Sequence, residues 1–254
     1  MIDIHTHLLP GIDDGPSDWK EAIAMLEAGY KDGIRGAVCT SHVLNRLDAQ
    51  LDAKLTTAFE RLRGLIQEKQ MRMELWLGSE IHVNASFDPS CRTASIAGNG
   101  KYFLLELPLN EIPNDVDDRL FQFTLQGYKP ILAHPERNSV IAQNPGTAYS
   151  LVQRGVLMQM NAGSLTGMFG RWTRKKAEAM LEHNLVHFVA SDCHNPRTRP
   201  MALQKAYKIV VSRVGREAAE KIFLDNPRNA IRGEDVWTPE PIPFDRKKSR
   251  FRFF

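Results

Sequence analysis

A disulfide framework is the first thing this sequence lacks the means to build. Its three cysteines, Cys39, Cys91 and Cys193, are odd in number and widely scattered, which points to a reducing cytoplasmic setting. Charge of one sign is also scarce: the formal net charge is +3 over 254 residues, too little to call for a nucleic-acid partner. No apolar run approaches the roughly 20 residues that cross a bilayer. The first residues also lack the charged start and apolar core of a signal peptide. No segment repeats. Hydrophobic residues at 43% and charged residues at 25% are ordinary for a globular protein. One substantial core is expected, near the about 250 residues typical of a β/α barrel.

What the sequence does have is concentrated at its start. Ile2 and Ile4 flank Asp3 in an alternating run that predicts a strand from almost the first residue. His5 and His7 follow two apart, so an extended backbone aims both imidazoles to one side. Asp13 and Asp14, in a glycine-bounded turn, can add hard oxygen ligands. Imidazole with carboxylate suits zinc, manganese or iron.

Downstream, Asp18-x-x-Glu21 predicts a capping box that opens a helix striped by Trp19, Ala22, Ile23, Leu26 and Tyr30 and stopped at Gly33. Further strands are predicted over 36–40, 73–78, 102–105, 130–133, 156–160 and 186–190, nearly every one followed by a helical stripe. This cadence implies parallel βα units in one domain over 1–238. A Pro-rich and then basic, flexible tail is expected over 239–254.

The chemical residues choose the architecture. His5, His42, Glu80, Glu106, His134, Asn161 and Asp192 each stand just past a predicted strand. Barrel enzymes gather their sites from several strand ends on one face, whereas an open sheet uses chiefly its switch point. A closed α/β barrel of seven strands is therefore expected. Any one of these histidines alone reads better as a satisfied loop or core residue than as a ligand. Taken together, five histidines (His5, His7, His42, His134, His194), two glutamates and two or three aspartates at one end would repel one another without cations. The set suffices for two or three ions.

The ordered motifs Ile-Asp-Ile-His-Thr-His at the start, Thr40-Ser-His42, Gly78-Ser-Glu80, Ala133-His-Pro-Glu-Arg137 and Ala190-Ser-Asp-Cys-His194 resemble the PHP (polymerase and histidinol phosphatase) superfamily. Within it the chain is most similar to the bacterial metal-dependent protein-tyrosine phosphatases of the CpsB/CapC-like branch, encoded with capsule and exopolysaccharide genes. The resemblance runs from residue 1 to about 233 and includes Leu9-Pro-Gly-Ile-Asp-Asp-Gly15 and Asp225-Asn-Pro-Arg228. It implies a distorted (β/α)7 TIM-like barrel, with His5, His7, Asp14, His42, Glu80, Glu106, His134, Asp192 and His194 as ligands of a trinuclear site at the strand C-terminal ends. Manganese is the metal it favours, with Fe, Zn, Co or Mg as substitutes. Cys193 departs from the pattern, since relatives commonly carry another residue between the Asp and the His.

The implied activity is hydrolysis of phosphotyrosine by metal-activated hydroxide, with Asp14, Arg137 and Arg199 counted among the catalytic residues. Clustered divalent ions grip phosphate oxygens and lower the pKa of bound water from 15.7 towards about 7. A tyrosine leaving group, with a pKa of about 10, needs less acid assistance than an alkyl alcohol. Arg137 and Arg199 can grip phosphate through paired hydrogen bonds. The implied substrate is the tyrosine-rich tail of a membrane-associated bacterial kinase, which would bring a cytoplasmic enzyme to the inner face of the membrane. The alternatives are another PHP hydrolase (a histidinol-phosphate-type phosphatase or a nuclease) and a module that binds phosphotyrosine without cleaving it.

Several features invite a blander reading. His183 and His187 flank the seventh strand as structural residues, and His82 could face the site or the surface. Arg171, Arg174, Lys175 and Lys176 read as a solvated helix start, although a basic rim could attract a phosphorylated tail. Cys193 and Arg199 also satisfy Cys-x5-Arg, the signature of unrelated cysteine-dependent phosphatases. Pro196 removes one N–H from that loop and no glycine lies in it, so it is a poor phosphate cradle. Replacing Cys193 by Ser is therefore expected to leave turnover of p-nitrophenyl phosphate essentially intact; loss of activity on that change would install the thiol as nucleophile.

Overall fold

The computed structural model describes residues 1–244, and the basic segment 246–254 lies outside the described residues. Seven short runs, apolar on both faces, form strands covered on one side by helices and on the other by one another. They are β1 (Ile2–Thr6), β2 (Gly36–Val43), β3 (Glu74–His82), β4 (Tyr102–Glu106), β5 (Lys129–Ala133), β6 (Leu157–Asn161) and β7 (Phe188–Ala190). All neighbours pair in parallel and in chain order. The first and last strands then meet through a Thr6–Cys193 bridge. There the His7 N–H donates to Cys193 O at 3.0 Å and the Asp192 N–H to His5 O at 2.9 Å. The result is the nearly closed seven-stranded barrel expected from the cadence together with the chemical residues at the strand ends.

Eight consecutive pairs join β2 to β3, and this carries both strands further than expected, to Val43 and His82. His42 and Glu80 thus lie inside strands, still at their C-terminal ends. A two-residue pairing of Arg46–Leu47 with Ser86–Phe87, absent from the sequence expectations, ties the loops beyond them.

Ile2, Ile4, Val38, Leu104, Ile131, Leu157 and Phe188 form one apolar cluster, made almost wholly of strand residues, which fills the barrel. The other alternation, with Cys39, Phe103, Leu105, Leu132 and Met158, packs outward against helices such as α1 (Trp19–Lys31) and α2 (Ala49–Glu68). In β1 the register against β2 shifts between Asp3 and Thr6, as Asp3 faces Ala37 but Thr6 faces Cys39. The extra residue is a bulge, and it reverses the alternation. Ile2 and Ile4 can therefore point inward low in the barrel while His5 and His7 do so at its mouth.

The first helix is capped as expected. Asp18 accepts from the Glu21 N–H at 2.8 Å, and Glu21 reaches back to the Ser17 N–H at 2.7 Å. Of the expected flexible tail, residues 239–244 depart from the reading. Asn184 donates to Glu240 O at 3.0 Å, His183 exchanges hydrogen bonds with Ile242, and the Phe244 ring stacks on His183 at 3.8 Å. The segment is led there by fully buried Asn226, whose amide donates to His187 O and Trp237 O and accepts from the Trp237 N–H. Removing that amide strands three backbone groups, each costing about 1–3 kcal/mol when left unpaired and buried. Asn226→Ala is accordingly expected to lower unfolding stability in urea by about 2–4 kcal/mol. It should also speed proteolysis within 237–244; unchanged stability and cleavage would show that this clamp is dispensable.

Candidate metal centre

Six of the seven strand ends contribute to one cluster in the barrel mouth, and β6 backs it through Asn161. β1 brings His5 and His7, whose Nε2 atoms stand 3.2 Å apart. β3 brings Glu80, whose Oε2 lies 3.1 Å from His5 Nε2, 3.3 Å from His7 Nε2 and 2.9 Å from His42 Nδ1, the last supplied by β2. After β5, His134 Nε2 reaches Glu80 Oε1 at 3.0 Å and Glu106 Oε1 at 3.5 Å. After β7, Asp192 Oδ1 stands 3.4 Å from both His5 and His7. Asp14, from the loop after β1, lies 3.2 Å from His194 Nε2 and 3.5 Å from His42 Nε2. All nine residues singled out as ligands in the sequence therefore converge.

The donor atoms gather into three overlapping groups, each compact enough to hold a metal ion. They are His7, Asp14, His42 and His194; His5, His7 and Glu80; and His42, Glu80 and Glu106. His134 and Asp192 belong to none of the three but flank them, at 3.0 Å from Glu80 and 3.4 Å from His5 and His7. Glu80 Oε2, His42 Nδ1 and His194 Nε2 are buried without a hydrogen-bond partner, although other donors crowd around them. Lone pairs left unpaired in a buried site among imidazoles and carboxylates suit cations.

Electrostatics point the same way. Burial alone would raise the Glu80 and Asp192 carboxyls, yet the facing histidines hold both well below the usual range. Burial would lower the imidazoles, but Glu80 and Asp192 lift His5, and Asp13, Asp192 and Glu80 lift His7 further. Without a cation, protons on the imidazoles have to balance the carboxylates. A metal ion must displace those protons, so binding weakens as pH falls.

A second layer orients the donors. Asp13 accepts from His7 Nδ1 at 2.8 Å and from the His42 N–H at 3.0 Å, so the acidic pair divides its labour: Asp14 faces the cluster and Asp13 stands behind it. His5 Nδ1 bonds Gln159 Oε1 at 2.7 Å, Gln159 bonds Asn161, and Asn161 Nδ2 donates to Asp192 Oδ2 at 2.6 Å. Buried Glu136 accepts from the Asn161 N–H and the Ser164 hydroxyl. None of Gln159, Glu136 or Asp13 in this backing role was legible beforehand. The one available signal was Gln159 sharing a strand face with Asn161. His134 and Asp192 adopt left-handed backbone, φ 34° and 53°, costly for residues with a side chain and typical of functional sites.

Arg137 and Arg199 both reach the cluster's edge, donating to Asp192 Oδ2, the former at 3.2 Å. Arg137 also lies over the Phe169 ring at 4.4 Å. Cys193 is fully buried in the β1–β7 seam, and burial pushes its thiol well above the ordinary value. It is in no position to act as a nucleophile, which removes the Cys-x5-Arg reading. His82 accepts from the Asn84 N–H and joins none of the three groups. His187, fully buried, accepts from the Met158 N–H with its ring pushed down to about 4 by burial, and is structural.

A parallel barrel whose mouth gathers three overlapping imidazole and carboxylate groups defines a metal-binding barrel protein of the hydrolase type. The chain belongs to the family described as capsular polysaccharide synthesis, CpsB/CapC, which residues 1–232 match. It is 33% identical to the tyrosine-protein phosphatase YwqE of Bacillus subtilis over the whole of both chains. It is 30% identical to the tyrosine-protein phosphatase CpsB of Streptococcus pneumoniae, covering 91% of this chain and 98% of that one. A solved structure described as that of YwqE and CpsB, unique metal-dependent tyrosine phosphatases, superposes with a TM-score of 0.88 at 31% identity over 97% of this chain and 100% of that one.

Asp13→Asn keeps the shape but makes the carboxylate a weaker partner for His7. Metal affinity should fall about 10–100-fold, the usual cost of losing such a supporting partner. A competitive chelator titration measures this, and unchanged affinity would remove Asp13 from the site's design.

Proposed function

We propose that this protein is a metal-dependent protein-tyrosine phosphatase. The observation that carries the proposal is the joining of three metal-competent groups through shared His7, His42 and Glu80, beside two arginines that converge on Asp192. Bound divalent ions would neutralise a phosphate dianion and supply hydroxide at neutral pH. The ligands are His5, His7, Asp14, His42, Glu80, Glu106, His134, Asp192 and His194. Their mixture of imidazole and carboxylate suits Mn2+ in two or three positions, with Fe, Zn, Co or Mg as substitutes.

The chain's own residues supply the rest. Arg137 and Arg199 carry fixed guanidinium forks at the edge of the cluster and grip the non-bridging phosphate oxygens. Asp192 holds both arginines in place until substrate arrives. Asp14, 65% exposed at the side chain, stands at the open side between His42 and His194, where it can orient the incoming nucleophile. A phenolate leaves readily enough that no dedicated acid is needed.

The family's capsule description and its relatives' names support a tyrosine phosphorylated on a kinase of polysaccharide synthesis as the substrate. Because such a kinase is membrane-associated, we place the enzyme in the cytoplasm at the membrane's inner face. No helix among the described residues is long and apolar enough to cross a bilayer.

The test is turnover of a phosphotyrosyl peptide and of histidinol phosphate, before and after chelation and with Mn2+ restored. The peptide should be hydrolysed, chelation should abolish turnover and Mn2+ should return it, with histidinol phosphate a poor substrate. Arg199→Ala should lower kcat/KM by about a hundredfold, in line with the loss of a charged transition-state donor. Preference for histidinol phosphate, or activity that survives chelation, contradicts the proposal.

A further inference from the structure

We propose that the start of helix α3 (Gly170–Glu182) is a docking rim for acidic residues flanking the phosphotyrosine, with Trp172 and the cations Arg171 and Lys175 as its contact surface. This deepens the proposed phosphatase function and rests on it. The rim is continuous with the site. Arg137 lies over Phe169 at 4.4 Å, Phe169 caps the start of the helix that carries Trp172, and that helix packs against the Pro135–Arg137 turn. Trp172, 63% exposed, is the most exposed of the tryptophans and phenylalanines left at the described surface, and Met168, four residues earlier, is 46% exposed.

Charge complementarity names the occupant. Arg171, Arg174, Lys175 and Lys176 fall within six residues, and no acidic residue lies between Gly163 and Ala177. Of these, Arg174 is already committed to Glu178 at 2.9 Å. Arg171 and Lys175 instead stand about the Trp172 ring at 4.9 and 5.0 Å, forming a cation and aromatic platform. The concentration is local. The last ten residues hold five cations and one anion, net +4, so the +3 of the whole chain leaves residues 1–244 at −1. Four cations in the first two turns of a helix also oppose its dipole, a placement that costs stability and gains from an arriving anion.

An acidic segment running from the catalytic mouth across Phe169 would meet this platform within one helical turn. Rim charges of this kind act mainly on encounter and on salt dependence. The binding contribution is therefore largest at low ionic strength, where screening is weakest.

The experiment compares wild type with Arg171→Glu/Lys175→Glu and with Trp172→Ala on three substrates loaded with Mn2+. These are a phosphotyrosyl peptide with acidic flanks, one with neutral flanks, and p-nitrophenyl phosphate, which has no flanks to dock. The charge-reversed protein should lose about tenfold in kcat/KM on the acidic peptide, chiefly through KM, and less than twofold on the other two. Trp172→Ala should show a smaller loss with the same selectivity, and added salt should erase most of the difference. An unchanged acidic-peptide KM, or equal losses on all three substrates, overturns the proposal. If wild type turns over none of the three, the phosphatase function fails, and the rim is then judged by direct titration of the acidic peptide. A Kd about tenfold weaker in the charge-reversed protein sustains it, and equal affinities refute it. Loss of binding to anionic vesicles with peptide binding intact would assign the rim to a lipid surface and also overturn the proposal.

Discussion

The Glu80 carboxylate, fully buried among four imidazoles, is the constraint around which this molecule is arranged. A lone charge in such a place would cost many kcal/mol or take up a proton. Here it is held ionised, and its Oε2 is kept free of hydrogen-bond donors in good geometry. That combination is poor design for a salt bridge and sound design for a cation. Glu106, Asp192 and Asp14 extend the same logic outward, so the site is graded from a dry centre to a wet mouth.

The barrel exists to bring these groups together without letting them drift. Seven strands in chain order deliver imidazoles and carboxylates from separate parts of the sequence to one end. The bulge in β1 reverses the side-chain alternation so that the lower barrel keeps Ile2 and Ile4 while the mouth receives His5 and His7. Left-handed backbone at His134 and Asp192 makes the same kind of adjustment where β5 and β7 end. Each is a local cost in backbone free energy that the surrounding hydrogen bonds, such as Asn161 to Asp192, hold in place.

Much of this was legible in the sequence, for definite reasons. Short apolar runs bounded by turn residues and followed by helical stripes leave few topologies open, and His42, Glu80, Glu106, His134 and Asp192 all mark strand ends. What escaped depends on contacts that no spacing encodes. Asp13 and Asp14 are chemically alike and adjacent, and only the turn's conformation sends one to the cluster and the other behind His7. Gln159 and Glu136 act through partners far along the chain. The 239–244 segment reads as a loose linker because proline dominates it, yet His183, Asn184 and Asn226 hold it and its approach from more than ten residues away. The two-residue pairing at Arg46 and Ser86 is too short to leave any periodic signal.

The measurement that bears most directly on the account is metal content per chain. Protein exposed to excess Mn2+, dialysed to equilibrium against metal-free buffer near neutral pH, would be analysed by elemental mass spectrometry beside Glu80→Gln prepared in the same way. The shared carboxylate predicts two or three ions per chain in the wild type and the loss of more than one in the variant. One ion or none in the wild type, or an unchanged count in Glu80→Gln, would contradict the claim that a buried, shared carboxylate organises a multinuclear centre.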